Sequence, residues 1–419
     1  MPWRRAAGVV RVCRVSARVL CLTLPIPGHV MPLAPVLAEL ARRGSAVRVV
    51  SAPSVDALLA STGAEVVHYP QAASAVMQAP SENFLVVAAA LGTLCTDGLV
   101  VFACAQAQEF EADVVLLDSM APWGRIAAER LGLPAVTSSS SFLISAQLGL
   151  TPRAAADVVL RLPAGLPALG RLALANARVR RRARVRLGGP VRMLSNRTGA
   201  TIVHTSAALQ PGSDRFGDDV HLVGATAAGR TTPAQPAPGS PLALALADAE
   251  AGAELIYVSL GTLYNRRPAF LRMCALALAG PRRRVVISLG DGVDPGALGD
   301  LPAGVLAAHM PPQLPILDRA NLFVTHAGLN SVHEALWRGA PMLCFPQAAD
   351  QPVVAARVAD LGAGTVLRGS EPSVETVRAA AAHVLGDPAY AERAASLGEG
   401  LRGGGAARAA DVVVEAAAT

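Results

Sequence analysis

Short apolar runs, each followed by a stretch of helical spacing, recur along this chain and leave little choice of fold. Arg18 to Leu24 is short and apolar throughout, as a parallel strand covered on both faces must be. Pro25-Ile26-Pro27-Gly28-His29 reads as a turn. Val30 to Arg43 then carries Leu33, Val36, Leu37 and Leu40 at helical spacing, with Gly44 as its stop. Val47 to Val50, Val66 to Tyr69, Asp113 to Leu117 and Pro134 to Thr137 repeat the strand pattern, and Gly124 to Leu131 the helical one. Such alternation predicts a doubly wound parallel sheet.

The pattern breaks and restarts. Residues 225–241 hold Gly229, Pro233, Pro236, Pro238, Gly239 and Pro241 and almost no large apolar residue, which predicts a linker. Beyond it, strands are expected at Leu255 to Leu260, Val285 to Leu289, Val305 to Ala308, Leu322 to Thr325 and Met342 to Phe345, with a helix at Ala269 to Leu278. The expected fold is α/β, with two Rossmann-like doubly wound parallel-sheet domains facing across a cleft. Residues 1–17 form a basic leader, 18–224 the first domain and 242–419 the second, whose last helix is expected to pack back on the first. Ligands of such sheets bind beyond the carboxyl ends of the strands, so the cleft is the place to look.

Composition removes several chemistries. All 37 cations are arginines, and no lysine occurs in the 419 residues. A Walker A loop, a pyridoxal-phosphate or Schiff-base enzyme and a protein kinase each need a lysine. With 52% hydrophobic and 16% charged residues the chain suits large cores, not disorder. The six cysteines form no C-x-x-C pair, and buried reduced thiols in a cytoplasmic protein are expected. Arginines interrupt the apolar stretch that a signal peptide would need after Met1. Phe84 to Cys95 is too short to span a bilayer. Arg171 to Arg192 contains eight arginines and no acid. A solvated helix face is the plain reading, and a peripheral contact with an anionic membrane the sharper one. Nucleic acid is not expected, because aromatic residues make up only 4%.

Two constellations carry chemistry. Between Asn321 and Leu361, a buried strand runs into His326-Ala327-Gly328-Leu329-Asn330-Ser331, and a helix is predicted at Val332 to Arg338. A loop entering a helix after a strand offers free N–H groups and the positive end of the helix dipole, a site for phosphate. Ser331 and Glu334 also have the spacing of a capping box, which would need no ligand. His326 and Asn330 add donors that a mere cap does not require. The second constellation is His29 in the first strand-to-helix turn, with Asp118 at the end of the fourth predicted strand. A catalytic histidine needs a carboxylate on its second nitrogen, and the alternative is a structural histidine. The eight histidines are dispersed, none in H-E-x-x-H, so no metal site is expected.

The ordered series His326, Gly328, Asn330, Ser331, Glu334, Gly339, Pro341, Pro346, Asp350 and Gln351 resembles the family 1 glycosyltransferases, especially the bacterial branch that acts on macrolides and other natural products. The resemblance implies the two-domain fold called GT-B, with an acceptor-binding first domain and a nucleotide-sugar-binding second domain. It implies that His326, Asn330 and Ser331, in the loop that bears Gly328, hold the donor diphosphate. Glu334 would accept from the ribose hydroxyls, and Asp350 and Gln351 would bind the sugar. Ser259, Gly261 and Thr262 resemble the family's loop near the phosphates. Pro312-Gln313 resembles its Trp-x-Pro-Gln, with Met310 standing where the family has a tryptophan that stacks on the base. His29 and Asp118 match its general-base dyad.

The function expected is thus that of an inverting glycosyltransferase. It would move a sugar from a nucleotide diphosphate, UDP or dTDP, to a hydroxyl of a small hydrophobic natural product. It would need no metal and no cofactor beyond the nucleotide-sugar co-substrate. The apolar segment Phe84 to Leu94 is a candidate acceptor surface or ordinary core. A nucleotide-sugar epimerase or hydrolase of the same architecture, and a non-catalytic donor-binding partner protein, are the alternatives.

Overall fold

Thirteen strands form two parallel sheets in a computed structural model that describes residues 16–79, 83–143, 152–230, 236–262, 265–369 and 371–419. In the first half they are β1 (Arg18–Leu22), β2 (Ala46–Ser51), β3 (Glu65–His68), β4 (Val114–Asp118), β5 (Ala135–Ser139), β6 (Ala200–Val203) and β7 (Val220–Leu222). In the second they are β8 (Glu254–Ser259), β9 (Arg283–Ser288), β10 (Val305–Ala308), β11 (Leu322–Thr325), β12 (Met342–Cys344) and β13 (Gly364–Val366). The sheet orders are β3-β2-β1-β4-β5-β6-β7 and β10-β9-β8-β11-β12-β13. Every described pairing is parallel, with the order reversing beside β1 and β8 as in a doubly wound sheet.

Side-chain alternation explains the continuous apolar runs. Leu20 and Leu22 enter the core on one face of the first sheet, and Val19 and Cys21 the core on the other. In the second sheet Leu255 and Tyr257 face one core, Ile256 and Val258 the other. In the central strands β1, β4 and β8 both faces are covered, so alternation of polarity is absent there. The strands β6, β7 and β13 were not expected from the sequence; with three or four residues each, they carry too little pattern to stand out.

Two helix starts differ from expectation, and both matter for the site. The first helix spans Pro27–Arg42, not Val30 to Arg43, because Pro27 occupies its opening position with φ preset for helix. Gly28 and His29 therefore lie in its first turn. It buries Val30, Leu33, Val36, Leu37 and Leu40. The helix expected at Val332 spans Leu329–Trp337, with Gly328 as its N-cap and no side-chain cap bond. Ser331 is thus three residues inside the helix, and the Ser331–Glu334 spacing is not a capping box.

The C-terminal helix, Gly405–Ala417, lies on the first domain. Its Ala409, Ala410, Val412 and Val413 share a core with Val30, Leu33 and Leu37, and Arg43 pairs with Asp411 at 2.5 Å. In the predicted linker, residues 231–235 lie outside the described residues, while Ala225, Ala227 and Ala228 are buried. Ser240 caps the helix Pro241–Glu250 by accepting from the Ala243 N–H. The helix Phe84–Leu94 is core, with Leu85, Ala88, Ala89, Leu91 and Leu94 buried. All eight arginines of Arg171 to Arg192 are exposed, over buried Leu172, Ala175 and Val179. Cys21, Cys95, Cys104, Cys274 and Cys344 are buried free thiols. Cys13 and most of the basic leader, residues 1–15, lie outside the described residues. Among the described residues no helix is long and apolar enough to cross a membrane.

Candidate active site

The carboxyl edge of the first sheet builds one half of the site. β4 ends at Asp118, beside Ser138 on β5, and β1 leads to the helix that carries His29. The Nδ1 of His29 lies 2.9 Å from Oδ2 of Asp118 and 3.0 Å from Oγ of Ser140. The other Asp118 oxygen, Oδ1, accepts from the Met120 N–H at 2.7 Å. Asp118 is therefore buried and fully oriented, while His29 is 18% exposed. Burial alone would push the imidazole below its usual range. The charge of Asp118, its hydrogen bond and the more distant charge of Asp350 outweigh that and raise it. With Nδ1 facing a carboxylate, the neutral ring keeps its proton there, and Nε2 is the basic nitrogen.

The carboxyl edge of the second sheet builds the other half. β11 runs through His326 to Gly328, and the first turn of the Leu329–Trp337 helix brings up Asn330 and Ser331. The leading N–H groups of that helix have no intrahelical acceptor. The His326 ring sits between two glycines. A Cβ on Gly261 would lie 2.6 Å from the ring, and one on Gly328 only 2.4 Å from Nε2. Burial pushes this imidazole down to about 4, against the opposing pull of the Ser259 backbone and the Asp350 charge. It stays neutral at pH 7, with Nδ1 buried and lacking a hydrogen-bond partner among the described residues. Ser259 accepts from the Gly261 N–H at 3.3 Å, and Gly261 holds the turn with φ of 75°. Thr262 is exposed at the same turn.

The remaining expected residues divide. Gln313 donates to Oε2 of Glu334 at 2.5 Å and lies 3.5 Å from Oγ of Ser331, so these three form one cluster. Met310 stands apart, 52% exposed. Oε1 of Gln351 accepts from the N–H groups of Gln347 and Ala348, which leaves its amide nitrogen for a ligand.

Two bonds join the halves at the surface of the site. Asn330 donates to the Gly28 carbonyl at 2.8 Å, and Ser141 donates to Asp350 at 2.5 Å. The His29 turn is thereby tied directly to the loop expected to hold phosphate. Ser140 and Ser141 escaped the sequence reading. Their signal was the run Ser138 to Ser141 at the carboxyl end of a strand, where a sheet of this kind places ligands. Arg230, whose Nη1 donates to Oε1 of Glu334 at 2.5 Å, carried no signal at all.

A buried seam lies behind this surface. His204 bonds Ser138 at 2.7 Å and Thr226 at 3.1 Å, and His333 bonds Thr205 at 2.9 Å. Burial lowers His204 to about 4 and His333 to about 3. Among the described residues no group of three or more His, Cys, Asp or Glu side chains could hold a metal ion.

Known proteins resemble this chain in sequence and fold. Residues 220–399 match the family described as UDP-glucoronosyl and UDP-glucosyl transferase. The uncharacterized UDP-glucosyltransferase YojK of Bacillus subtilis is 34% identical over 217 residues, which cover 52% of this chain and 51% of the relative. The chain thus matches about half the length of that relative. The demethyllactenocin mycarosyltransferase of Streptomyces fradiae is 29% identical over 418 residues, covering 96% of this chain and 86% of the relative. Among solved structures, the glycosyltransferase of kitacinnamycin superposes with a TM-score of 0.76 at 28% identity, covering 96% of this chain and 99% of that one. The two parallel-sheet domains have the architecture of the GT-B glycosyltransferases. Residues 220–399 thus resemble the UDP-glucoronosyl and UDP-glucosyl transferase family, and nearly the whole chain is similar to glycosyltransferases of bacterial natural-product pathways.

Proposed function

We propose that this glycosyltransferase inverts the anomeric centre, using His29 as general base and a nucleoside diphosphate sugar as donor. The observation that carries the proposal is the Asn330–Gly28 bond of 2.8 Å, which puts the base and the diphosphate loop on adjoining turns. Nε2 of His29 takes the proton of an acceptor hydroxyl as that oxygen attacks the anomeric carbon. The bond from that carbon to the diphosphate oxygen breaks, and the nucleoside diphosphate leaves. Asp118 stabilises the imidazolium formed, and general-base catalysis of this kind contributes about 10²–10⁴-fold.

The charge on the leaving diphosphate is met by the free N–H groups at Leu329, Asn330 and Ser331 and by the positive end of their helix. His326 donates from its neutral ring, and Ser259, Gly261 and Thr262 border the phosphates. Gln313 and Glu334 face the ribose, with Met310 beside the base. Asp350 and Gln351 take the sugar hydroxyls. These groups supply the electrostatic stabilisation that a divalent ion gives in other transferases, so the reaction runs without one. The acceptor is a small hydrophobic natural product, a reading supported by the relatives named for demethyllactenocin and kitacinnamycin.

Mass spectrometry of products from an array of such acceptors, each run with UDP- and dTDP-sugars and with chelator present, tests this reading. A mass gain of one sugar on an acceptor supports it. Sugar release or epimerisation without any acceptor product contradicts it.

A further inference from the structure

Both carboxylate oxygens of Glu334 are already engaged by protein donors. Oε1 accepts from Nη1 of Arg230 and Oε2 from Nε2 of Gln313, each at 2.5 Å. The Glu334 side chain is only 3% exposed, whereas Arg230 is 37% exposed at the mouth of the pair. Arg230 belongs to the segment that joins the two domains, and its backbone there is fixed. The same Nη1 donates to the Ala227 carbonyl at 2.9 Å, and Arg338 donates to the Ala228 carbonyl at 2.9 Å. Gly229 packs so closely on Trp337 that a Cβ would fall 2.6 Å from the indole.

A site that reads a hydroxyl leaves a buried polar group waiting for it, and rejects the analogue without that hydroxyl because the group is then stranded. Glu334 is not waiting. Its charge has two partners whether or not a ribose hydroxyl arrives. We propose that Arg230 is a specificity-determining residue of the donor site: by pairing Glu334 it makes binding indifferent to the 2′-hydroxyl, so that ribo- and 2′-deoxyribonucleoside diphosphates enter alike. Arg230 is a positioning residue in this role, acting through Glu334, and the proposal rests on Glu334 facing the donor ribose. Without the guanidinium, one oxygen of a buried carboxylate loses its protein partner, and the 2′-hydroxyl of a ribonucleotide can supply one.

The probes are UDP and 2′-deoxy-UDP, which differ by that one hydroxyl, titrated calorimetrically into the full chain. The unaltered protein should bind the two within about threefold of each other. Arg230→Met keeps the aliphatic stem and removes the charge, and should favour UDP by about tenfold or more. Arg230→Leu, which likewise carries no donor, gives the same comparison if the Met variant does not fold. A preference for UDP above about tenfold in the unaltered protein overturns the proposal. So does an unchanged ratio in a variant that still binds UDP. Failure of the unaltered chain to bind UDP at all would instead remove the donor-site reading, and the proposal with it.

Discussion

Asp118 holds His29 by one oxygen and is itself held by the other. The 2.9 Å contact from Nδ1 to Oδ2 is paired with a 2.7 Å bond from the Met120 N–H to Oδ1. The carboxylate cannot rotate away without breaking a buried bond, so the imidazole is oriented before any substrate arrives. This is the role a third member plays behind a histidine base.

The pH dependence of turnover follows from that pair. The Asp118 charge and hydrogen bond raise His29 above its ordinary 6.5 in spite of burial. A base must be neutral to act, so kcat/KM should rise with pH through an apparent pKa above 6.5. Asp118→Asn removes the charge, moves this limb to lower pH and reduces turnover by about 10²–10⁴-fold. Rate profiles of the two proteins decide it, and a limb that does not move contradicts the assignment.

Ser331 lies inside its helix, so its loss should not cost stability. Ser331→Ala should leave the melting temperature unchanged, since alanine is the better helix former. It should weaken nucleoside diphosphate binding by about 1.5–3 kcal/mol, the scale of a hydrogen bond to a charged group. Calorimetry and a melting curve on one protein check both halves. Intact affinity would move the diphosphate elsewhere.

Gly328 tests the position of His326. Its φ of −64° and ψ of 135° suit alanine, so Gly328→Ala brings no backbone strain. The added Cβ would nevertheless lie 2.4 Å from Nε2 of His326 and push the ring aside. Overpacking of this kind costs about 1–3 kcal/mol of stability. We expect loss of donor affinity beyond about tenfold. Unaltered nucleotide binding would show that the ring does not touch the donor.

Acid should loosen the seam between the domains. His204 and His333 titrate at about 4 and about 3 when folded, and at 6.5 when unfolded. The unfolded chain therefore binds more protons below pH 6.5. The stability contributed is full above 6.5 and falls as pH drops toward 4, by about 1 kcal/mol per pH unit for each histidine. His333→Asn should flatten the fall in melting temperature between pH 7 and 5. An equal fall in both proteins would mean that other groups dominate.

Much of this was legible in the sequence because the physics behind it is local. Buried parallel strands must be apolar without interruption, which marked β1 to β5 and β8 to β12, and with them the strand end at Asp118. Helix starts were not legible, because Pro27 and Gly328 each begin a turn whose continuation into helix depends on what the next residues pack against. His29 and Ser331 were therefore expected in loops and lie in first turns. Ser140 and Arg230 reach the site from 111 and 104 residues away in sequence from His29 and Glu334, and no local pattern records such a meeting.

The central claim is that the base and the donor site are separate parts joined at Asn330 and Gly28. His29→Ala tests it most directly, with sugar transfer followed by mass spectrometry and nucleoside diphosphate binding by calorimetry on the same protein. The prediction is transfer reduced by about 10²–10⁴-fold with affinity unchanged. Loss of affinity in step with activity would make His29 a donor or structural residue, and undiminished transfer would place the base elsewhere.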